Sequence, residues 1–294
     1  MSRFNSVLLG DNAFYGVDHL SHERARKRTQ TIQSIDHTID VIKAAYSMGI
    51  DGMVVANRPK LKEIIEILDK DSGIAKNLEF YPVIPYAQGL QMKLNQGGIM
   101  GTMKEIIKAG SIKNDLKILA KGGFSFMKKD FIELFKIFID VELIKLKSVN
   151  PKMIYLHPIL TDLALAFEMK NVFETFQTYL HENYQIKSGV CTKNFPKLVS
   201  KFQEWGIKYD SIMTSFNKSG FLMNPSKEEC EKCLENYDGH VLAMNLFAGG
   251  FYSLEETASY IESLPKIKHV VIGLSSTKHA KETFGHFISR KENL

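Results

Sequence analysis

The sequence predicts an α/β fold in which residues 1–294 form one closed (β/α)8 barrel. Eight short apolar runs alternate along the chain with amphipathic helical patterns, as parallel βα units do. Small or polar residues follow the apolar runs, where the chain would leave each strand. An open doubly wound sheet is the alternative, but no Gly-x-Gly-x-x-Gly motif follows the first run.

The predicted strands are short apolar runs that end at turn-forming or polar residues. They lie at Ser6–Gly10, Gly52–Val55, Glu79–Ile84, Met153–His157, Gln185–Cys191, Asp210–Ser215, His240–Asn245 and His269–Gly273. Pro82 lies inside the third run and argues against a strand there, because proline cannot donate a ladder hydrogen bond.

The predicted helices repeat apolar residues every three or four positions, so that one face of each is buried. In the first helix Ile35, Ile39 and Ile42 share that face, and Gly49 ends the helix. The helices are predicted at Ile35–Met48, Lys60–Leu68, Lys128–Lys147, Leu163–Glu182, Phe195–Trp205, Lys227–Tyr237, Leu254–Leu264 and after Ser275-Ser276-Thr277.

The stretch between the third and fourth predicted strands is too long for an ordinary crossover. Residues of roughly 86–127 are therefore predicted to be an insertion, with helical patterns at Thr102–Ala109 and Ile112–Ala120. Its Met, Gly and Gln content suits an adaptable lid or substrate wall on the active-site side. An extra helical layer without a catalytic part fits the pattern equally well.

Composition favours a cytoplasmic protein that binds a small molecule. The formal net charge of +5 slightly favours an anionic ligand and gives little reason to expect nucleic acid. No run is long enough for a membrane span, and the N-terminus lacks a secretory apolar region. Three cysteines do not suggest a disulfide framework. The oligomeric state is not predicted.

Two loops of the second half are predicted to bind a phosphate. Gly249-Gly250 and Ser275-Ser276 lie where the chain leaves the last two strands. Backbone N–H groups in such loops can approach an anion, helped by the start of the next helix. In a (β/α)8 barrel this position is a frequent phosphate site.

Chemistry in such a barrel lies at the C-terminal ends of the strands, so the polar residues there are the candidates. They are Asp11, Asn12, Asn57, Arg58, Tyr86, Gln88, His157, Cys191, Thr192, Lys193, Asn194, Ser215, Asn217, Asn245, Ser275 and Ser276.

Three of these candidates are the best sources of catalytic or binding groups. His157 could donate a hydrogen bond to a substrate carbonyl or shuttle a proton; otherwise it is a buried histidine bonded to a neighbouring carbonyl. Asp11 could act as a base or bind a hydroxyl, although Asp-Asn is also an ordinary turn. Arg58 could clamp a phosphate or carboxylate, or lie on the surface.

The cysteines and the basic loop favour structural interpretations. Cys191 has no adjacent base in the sequence, so a buried thiol is favoured over a nucleophile. Cys230 and Cys233 have the Cys-x-x-Cys spacing but no second pair, and no metal site is predicted. The loop with Arg24, Arg26, Lys27 and Arg28 is interpreted as a solvated surface.

The second half of the chain resembles the aldo-keto reductase superfamily. Met-Asn-Leu-Phe-Ala-Gly-Gly at 244–250 is similar to that family's seventh-strand loop, and Val-Ile-Gly-Leu-Ser-Ser-Thr-Lys at 271–278 to its eighth-strand segment. Leu-His-Pro at 156–158 matches the motif of the catalytic histidine, Gly-Val-Cys at 189–191 resembles its fifth-strand loop, and Phe216-Asn217 resembles its Tyr-Asn, whose aromatic ring stacks on nicotinamide.

The resemblance implies NAD(P)H-dependent reduction of a small carbonyl or sugar-like metabolite, with either NADP or NAD as the cofactor. By resemblance His157 is the catalytic histidine. Asp11 and Tyr86, from other strand ends, complete the predicted catalytic set, and Asn12, Asn57 and Arg58 at the strand ends are predicted to bind the substrate. The implied cofactor-binding residues are Cys191, Phe216, Asn217, Asn245, Gly249, Gly250, Ser275, Ser276 and Lys281.

The chain departs from the family's catalytic set of Asp, Tyr, Lys and His. The aspartate is replaced by Val54, and no tyrosine follows it in Asn57-Arg58-Pro59-Lys60. The position of the family's lysine falls near residues 84–86. Tyr86, which comes from a different strand, is the candidate replacement for the tyrosine acid. The arginine that reads the adenosine 2′-phosphate is replaced by His279.

Three functions therefore remain open from the sequence. One is a divergent nicotinamide-dependent oxidoreductase. A second is a lyase or isomerase that acts on a phosphorylated or carboxylated metabolite without hydride chemistry. The third is a non-catalytic ligand-binding barrel. The fold alone does not choose among them.

Overall fold

A computed structural model describes residues 4–15, 34–58, 60–85 and 131–289. Eight parallel strands close into a barrel in sequence order, and the last strand pairs with the first. The predicted fold class is confirmed. The strands are β1 (Ser6–Gly10), β2 (Gly52–Ala56), β3 (Glu79–Ile84), β4 (Met153–Leu156), β5 (Lys187–Thr192), β6 (Ser211–Ser215), β7 (Val241–Met244) and β8 (His269–Gly273).

Helices surround the barrel and connect its strands. A 3₁₀ turn, Asp11–Tyr15, follows β1. The α-helices of the described ranges are α1 (Ile35–Ser47), α2 (Leu61–Ser72), α3 (Ile74–Asn77), α4 (Phe131–Lys145), α5 (Pro158–Ala166), α6 (Lys170–Tyr184), α7 (Phe195–Trp205), α8 (Lys227–Glu235), α9 (Leu254–Glu262) and α10 (Thr277–Ser289). The predicted insertion at about 86–127, Tyr86 and the basic loop Arg24–Arg28 lie outside the described residues.

The single helix predicted at Leu163–Glu182 is wrong, because the chain forms two helices there. His157 caps the N-terminus of α5, and Pro158 occupies the first helical position. The chain then breaks at Glu168, whose φ of 52° is left-handed, before α6 begins. Helix α3 was also not predicted; it follows Gly73, whose φ of 64° ends α2.

The middle of the barrel is filled by side chains. Because side chains alternate along a strand, every second residue points inward. The buried inward residues are Leu8, Val54, Tyr155, Cys191, Met213, Leu242 and Val271. The Tyr155 hydroxyl donates a hydrogen bond of 2.9 Å to Ser211 Oγ inside this layer. A Cβ on Gly189 would lie 2.5 Å from the Tyr155 ring, so glycine at this position makes room for the ring.

A larger apolar layer lies between the strands and the helices. Aromatic rings fill much of it on the side of α6 and α7, where Phe173 meets Phe202 edge-on at 5.0 Å between ring centroids. Packing on both faces explains why the strands are continuous apolar runs in the sequence. This packing also fixes the positions of the strand ends, which carry the functional groups.

Candidate active site

Four described strands carry a charged or titratable side chain just beyond their C-terminal ends. Asp11 follows β1, Arg58 follows β2, His157 follows β4 and Lys193 follows β5. All strands are parallel, so these residues share one end of the barrel, which we call the mouth. The structure thus brings together three predicted residues and adds Lys193, which the sequence indicated only as one of many strand-end residues.

His157 is held by its backbone and its ring together. Its N–H donates to the Ile84 carbonyl at 2.7 Å, which ties the end of β4 to β3. Its Nδ1 atom accepts from the Ile159 N–H at 3.2 Å. Since Nδ1 is the acceptor, the proton of the neutral imidazole is on Nε2. The ring therefore presents an N–H donor from a fixed position.

The His157 imidazole is kept neutral by its surroundings. Burial, with smaller contributions from the positive charges of Lys193 and Arg58, lowers its pKa to about 4. Both cations are therefore close enough to act on the ring. A neutral N–H donor beside two cations is suited to an oxygen that carries or develops negative charge.

Arg58 is a buried cation with several fixed contacts. Its Nη2 donates to Asn12 Oδ1 at 2.7 Å, and its guanidinium carbon lies 4.4 Å from the centre of the Tyr15 ring. Its Nε lies 3.6 Å from Asp11 Oδ2. Only 7% of the residue is exposed, so Arg58 is not the surface arginine of the alternative interpretation.

Asp11 is placed to hold Arg58. Its Oδ2 accepts from the Ala56 N–H at 2.8 Å, and 6% of the residue is exposed. Burial raises its pKa to about 6, and the attraction of Arg58 only partly offsets this. Asp11 thus positions Arg58, and its role as a base stays a prediction.

Asn57, predicted to bind substrate, faces away from the mouth. Its Nδ2 donates to Glu142 Oε2 of α4 at 3.1 Å. The next residue, Arg58, reaches Asn12 and Tyr15 instead. Adjacent residues at a strand end point to opposite faces. Asn57 therefore contacts the outer helices, whereas Arg58 lies at the mouth.

Three residues predicted to bind the cofactor lie in the core. Cys191 is 2% exposed inside the barrel, and burial raises the pKa of its thiol far above the usual range. Phe216 is fully buried, with its ring 6.1 Å from that of Phe195 and nearly perpendicular to it. It therefore has no free face on which nicotinamide could stack. Asn217 is also fully buried, and its amide organises the following loop through Phe221 and Ser219.

The loop after β7 has the backbone expected of a tight anion-binding turn. Ala248, Gly249 and Gly250 have φ values of 46°, 75° and 87°, so three successive residues are left-handed. Gly250 is exposed and Gly249 half-buried, but the Gly250 N–H already donates to the Phe247 carbonyl at 2.9 Å. Asn245 Nδ2 donates to Ser215 Oγ at 2.9 Å and fixes the start of the loop.

The loop after β8 leads directly into a helix N-terminus. Ser276 Oγ accepts from the His279 N–H at 3.2 Å and caps α10. The Ser275 carbonyl is hydrogen-bonded to His37 Nε2 at 2.8 Å, which anchors the loop to α1. Lys281 is exposed on the first turns of α10. These residues fit the phosphates of a nicotinamide dinucleotide, whereas Phe216 does not fit its ring.

Comparison with known proteins identifies the fold. No family model matches the chain, and no curated protein is detectably similar to it in sequence. Among solved structures, a protein of Pseudomonas aeruginosa assigned to the aldo-keto reductases is 13% identical, with a TM-score of 0.61, over 97% of this chain and 90% of that one. The chain has the barrel fold of the aldo-keto reductases.

Two further structures with the aldo-keto reductase fold agree. An aldo/keto reductase from Brucella melitensis is 14% identical, with a TM-score of 0.53, over 97% of this chain and 88% of that one. An aldo-keto reductase from Bacillus halodurans in its holo form is 11% identical, with a TM-score of 0.53, over 98% and 87%. The resemblance stated from the motifs is thus confirmed for the fold.

Within this aldo-keto reductase fold, the mouth has an unusual set of groups. Val54, which replaces the family's aspartate, belongs to the apolar layer inside the barrel. Tyr86 lies outside the described residues.

Within the described ranges, no group of three or more His, Cys, Asp or Glu side chains could hold a metal ion. No described helix is long and apolar enough to cross a membrane.

Proposed function

We propose that the protein is an NAD(P)H-dependent oxidoreductase that reduces the carbonyl group of a small metabolite. The observation that carries this proposal is the neutral Nε2–H donor of His157 beside Lys193 and Arg58, at the mouth of a barrel with the aldo-keto reductase fold. A small anionic metabolite would suit the mild positive charge of the chain.

In this mechanism His157 binds the carbonyl oxygen through Nε2–H. As hydride reaches the carbonyl carbon, the oxygen gains negative charge and the hydrogen bond strengthens. The resulting alkoxide takes a proton from solvent water to give the alcohol. The positive charges of Arg58 and Lys193 act in the same direction. Asp11 holds the Arg58 guanidinium in place through their 3.6 Å contact.

The cofactor proposal rests on the two loops after β7 and β8. Gly249, Ser276 and Lys281 would hold the phosphates, with a backbone N–H group, a hydroxyl and an ammonium. Gly250 shapes the turn, since its own N–H donates to the Phe247 carbonyl. The nicotinamide, when bound, supplies the hydride. NADP and NAD both remain candidates because His279 replaces the arginine that reads the 2′-phosphate in the family.

A titration with NADPH and NADH tests the cofactor. We expect a saturable change in nucleotide fluorescence for at least one of them. We also expect nitrobenzaldehyde to be a poor substrate, since loss of a tyrosine proton donor costs on the order of 10²–10⁴ in rate. Absence of binding by both nucleotides, at concentrations up to a millimolar, would contradict the proposal.

The second candidate is a lyase or isomerase without hydride chemistry. It is favoured by one observation: the Phe216 ring is fully buried and cannot stack on nicotinamide. The cations of the mouth suit an enolate or phosphorylated intermediate equally well. The nucleotide titration separates the two candidates, because only the oxidoreductase requires binding of NADPH or NADH.

A further inference from the structure

Lys193 has an inward position at the mouth of the barrel. Register pairs Leu156 with Val190, so His157 is level with Cys191, and Lys193 lies one inward position closer to the mouth. Cys191 belongs to the interior layer, whereas the intervening Thr192 reaches outward to Asp162. The charge of Lys193 acts on His157, Cys191 and Asp162, which surround the end of β5.

The base of the Lys193 side chain is fixed by its neighbours. The Lys193 N–H donates to the Asp162 carboxylate at 3.1 and 3.4 Å, and Thr192 Oγ donates to the same carboxylate at 2.5 Å. The Asn194 N–H donates in turn to Thr192 Oγ at 2.9 Å. The residue therefore leaves β5 with a defined direction.

The Lys193 ammonium has no acceptor among the residues that the structure describes. Several other described lysines form ion pairs, such as Lys201 with Glu168 and Lys145 with Glu142. Lys193 is half-buried, and a partly desolvated cation gains from a counter-charge. The Asp162 carboxylate already accepts from Thr192 and the Lys193 backbone. The ammonium is thus available to a ligand in the mouth.

We propose that Lys193 binds a carboxylate or phosphate group of the substrate while His157 Nε2–H binds its carbonyl oxygen. The substrate class is therefore a small carbonyl compound with an anionic group close to the carbonyl, such as a 2-oxo acid or a phosphorylated aldehyde. The carbonyl part of this inference rests on the proposed function, and the anion part rests on the position of Lys193.

Calorimetric titrations of the full chain test the anion site without turnover. The probes are oxamate, a stable analogue of a 2-oxo acid, inorganic phosphate, and acetamide as the neutral counterpart of oxamate. We expect Lys193→Met to weaken the bound anion about tenfold to a hundredfold, the range of one charge-assisted hydrogen bond. Lys193→Arg should restore most of the affinity, and Lys197→Met, an exposed lysine of α7, should leave it unchanged.

The probes separate the two sources of the anion. Binding of oxamate with weak phosphate binding identifies a carboxylate substrate, and the reverse identifies a phosphorylated one. Equal anion binding by wild type and Lys193→Met overturns the inference, as does failure of both anions to bind wild type. Acetamide binding as tight as that of oxamate would overturn it too, since charge would then have no part.

An NMR titration of His157 gives a readout that a purely structural lysine would not move. The resonance is identified by its loss in His157→Gln. Lys193→Met should raise the His157 pKa from about 4, because the ammonium contributes to lowering it. An unchanged pKa would place the ammonium away from the ring and overturn the inference. Anion binding that needs Lys193, without any NADPH or NADH binding, would reject the oxidoreductase proposal alone.

Discussion

The Nε atom of Arg58 lies 3.6 Å from the Oδ2 atom of Asp11, and both residues are more than nine-tenths buried. Burial removes the hydration of the Asp11 carboxylate, and the attraction of Arg58 does not fully offset this loss. The pKa of Asp11 is consequently raised to about 6. A buried carboxyl that titrates near neutrality has consequences for stability.

We expect the free energy of unfolding to depend on Asp11 between about pH 4 and pH 6. In this window the folded state binds more protons than the unfolded state, so the Asp11 contribution falls as the pH rises. Its full size is about 3 kcal/mol. The free energy of unfolding in urea should therefore increase for Asp11→Asn relative to wild type as the pH rises. A difference that is constant from pH 4 to 7 would contradict the raised pKa.

His157 should produce the opposite pH dependence of stability. Its folded pKa of about 4 lies below the usual value, so the unfolded state binds more protons between about pH 4 and pH 6.5. The His157 contribution, about 3 kcal/mol, is therefore lost as the pH falls through this window. His157→Gln should remove this acid sensitivity. Unfolding curves of the variant that keep the wild-type slope would rule out the lowered pKa.

His157→Gln should also suppress the reaction, which can be measured once the substrate is known. Gln cannot reproduce the position of the Nε2–H donor, and loss of such a group typically costs on the order of 10²–10⁴ in kcat. Because the imidazole is neutral above about pH 4, kcat should show no His157 titration between pH 5 and 8. Normal turnover by His157→Gln would show that the imidazole takes no part in catalysis.

Phe216→Leu should lower stability without changing nucleotide affinity. Its ring is fully buried against Phe195, so trimming it should cost about 1–3 kcal/mol. The dissociation constant of NADPH should stay within about twofold of wild type. Phe167→Leu is the matched control, since Phe167 is 71% exposed and its loss should cost under about 0.5 kcal/mol. A large loss of NADPH affinity in Phe216→Leu would restore the stacking role.

Ser276→Ala and Lys281→Ala together should weaken binding of a phosphorylated nucleotide about tenfold or more. Loss of the Ser276 cap should also cost about 1 kcal/mol of stability. Ser226→Ala is a control with the same cap loss, because Ser226 Oγ accepts from the Glu229 N–H at the start of α8. The control should lose stability but bind the nucleotide normally. Equal nucleotide affinity in the double variant and wild type would exclude the β8 loop as the phosphate site.

The strands were predictable because they are buried on both faces. β1, β3 and β8 have the predicted bounds, and the other five differ by one or two residues. The break between α5 and α6 was missed, since apolar spacing continues across it and the left-handed residue is Glu168 rather than glycine. The signal that was available is Pro158, which marks a helix start directly after His157.

The site was predictable only in part. His157 and Arg58 could be named because they follow clear strands. Asn57 was included wrongly with them because its direction depends on the exact strand end, and a shift of one residue reverses it. Lys193 could have been found by counting two residues on from Cys191, once that side chain is known to point inward. The burial of Phe216 depends on packing against Phe195, which no local pattern reveals.

The filled interior of the barrel also bears on kinetics. Tyr155, hydrogen-bonded to Ser211, belongs to a continuous apolar layer below His157. In the proposed reaction the substrate would therefore approach the imidazole from the mouth alone, and the product would leave by the same route. Product would then compete with substrate for the mouth, so that its accumulation would slow turnover.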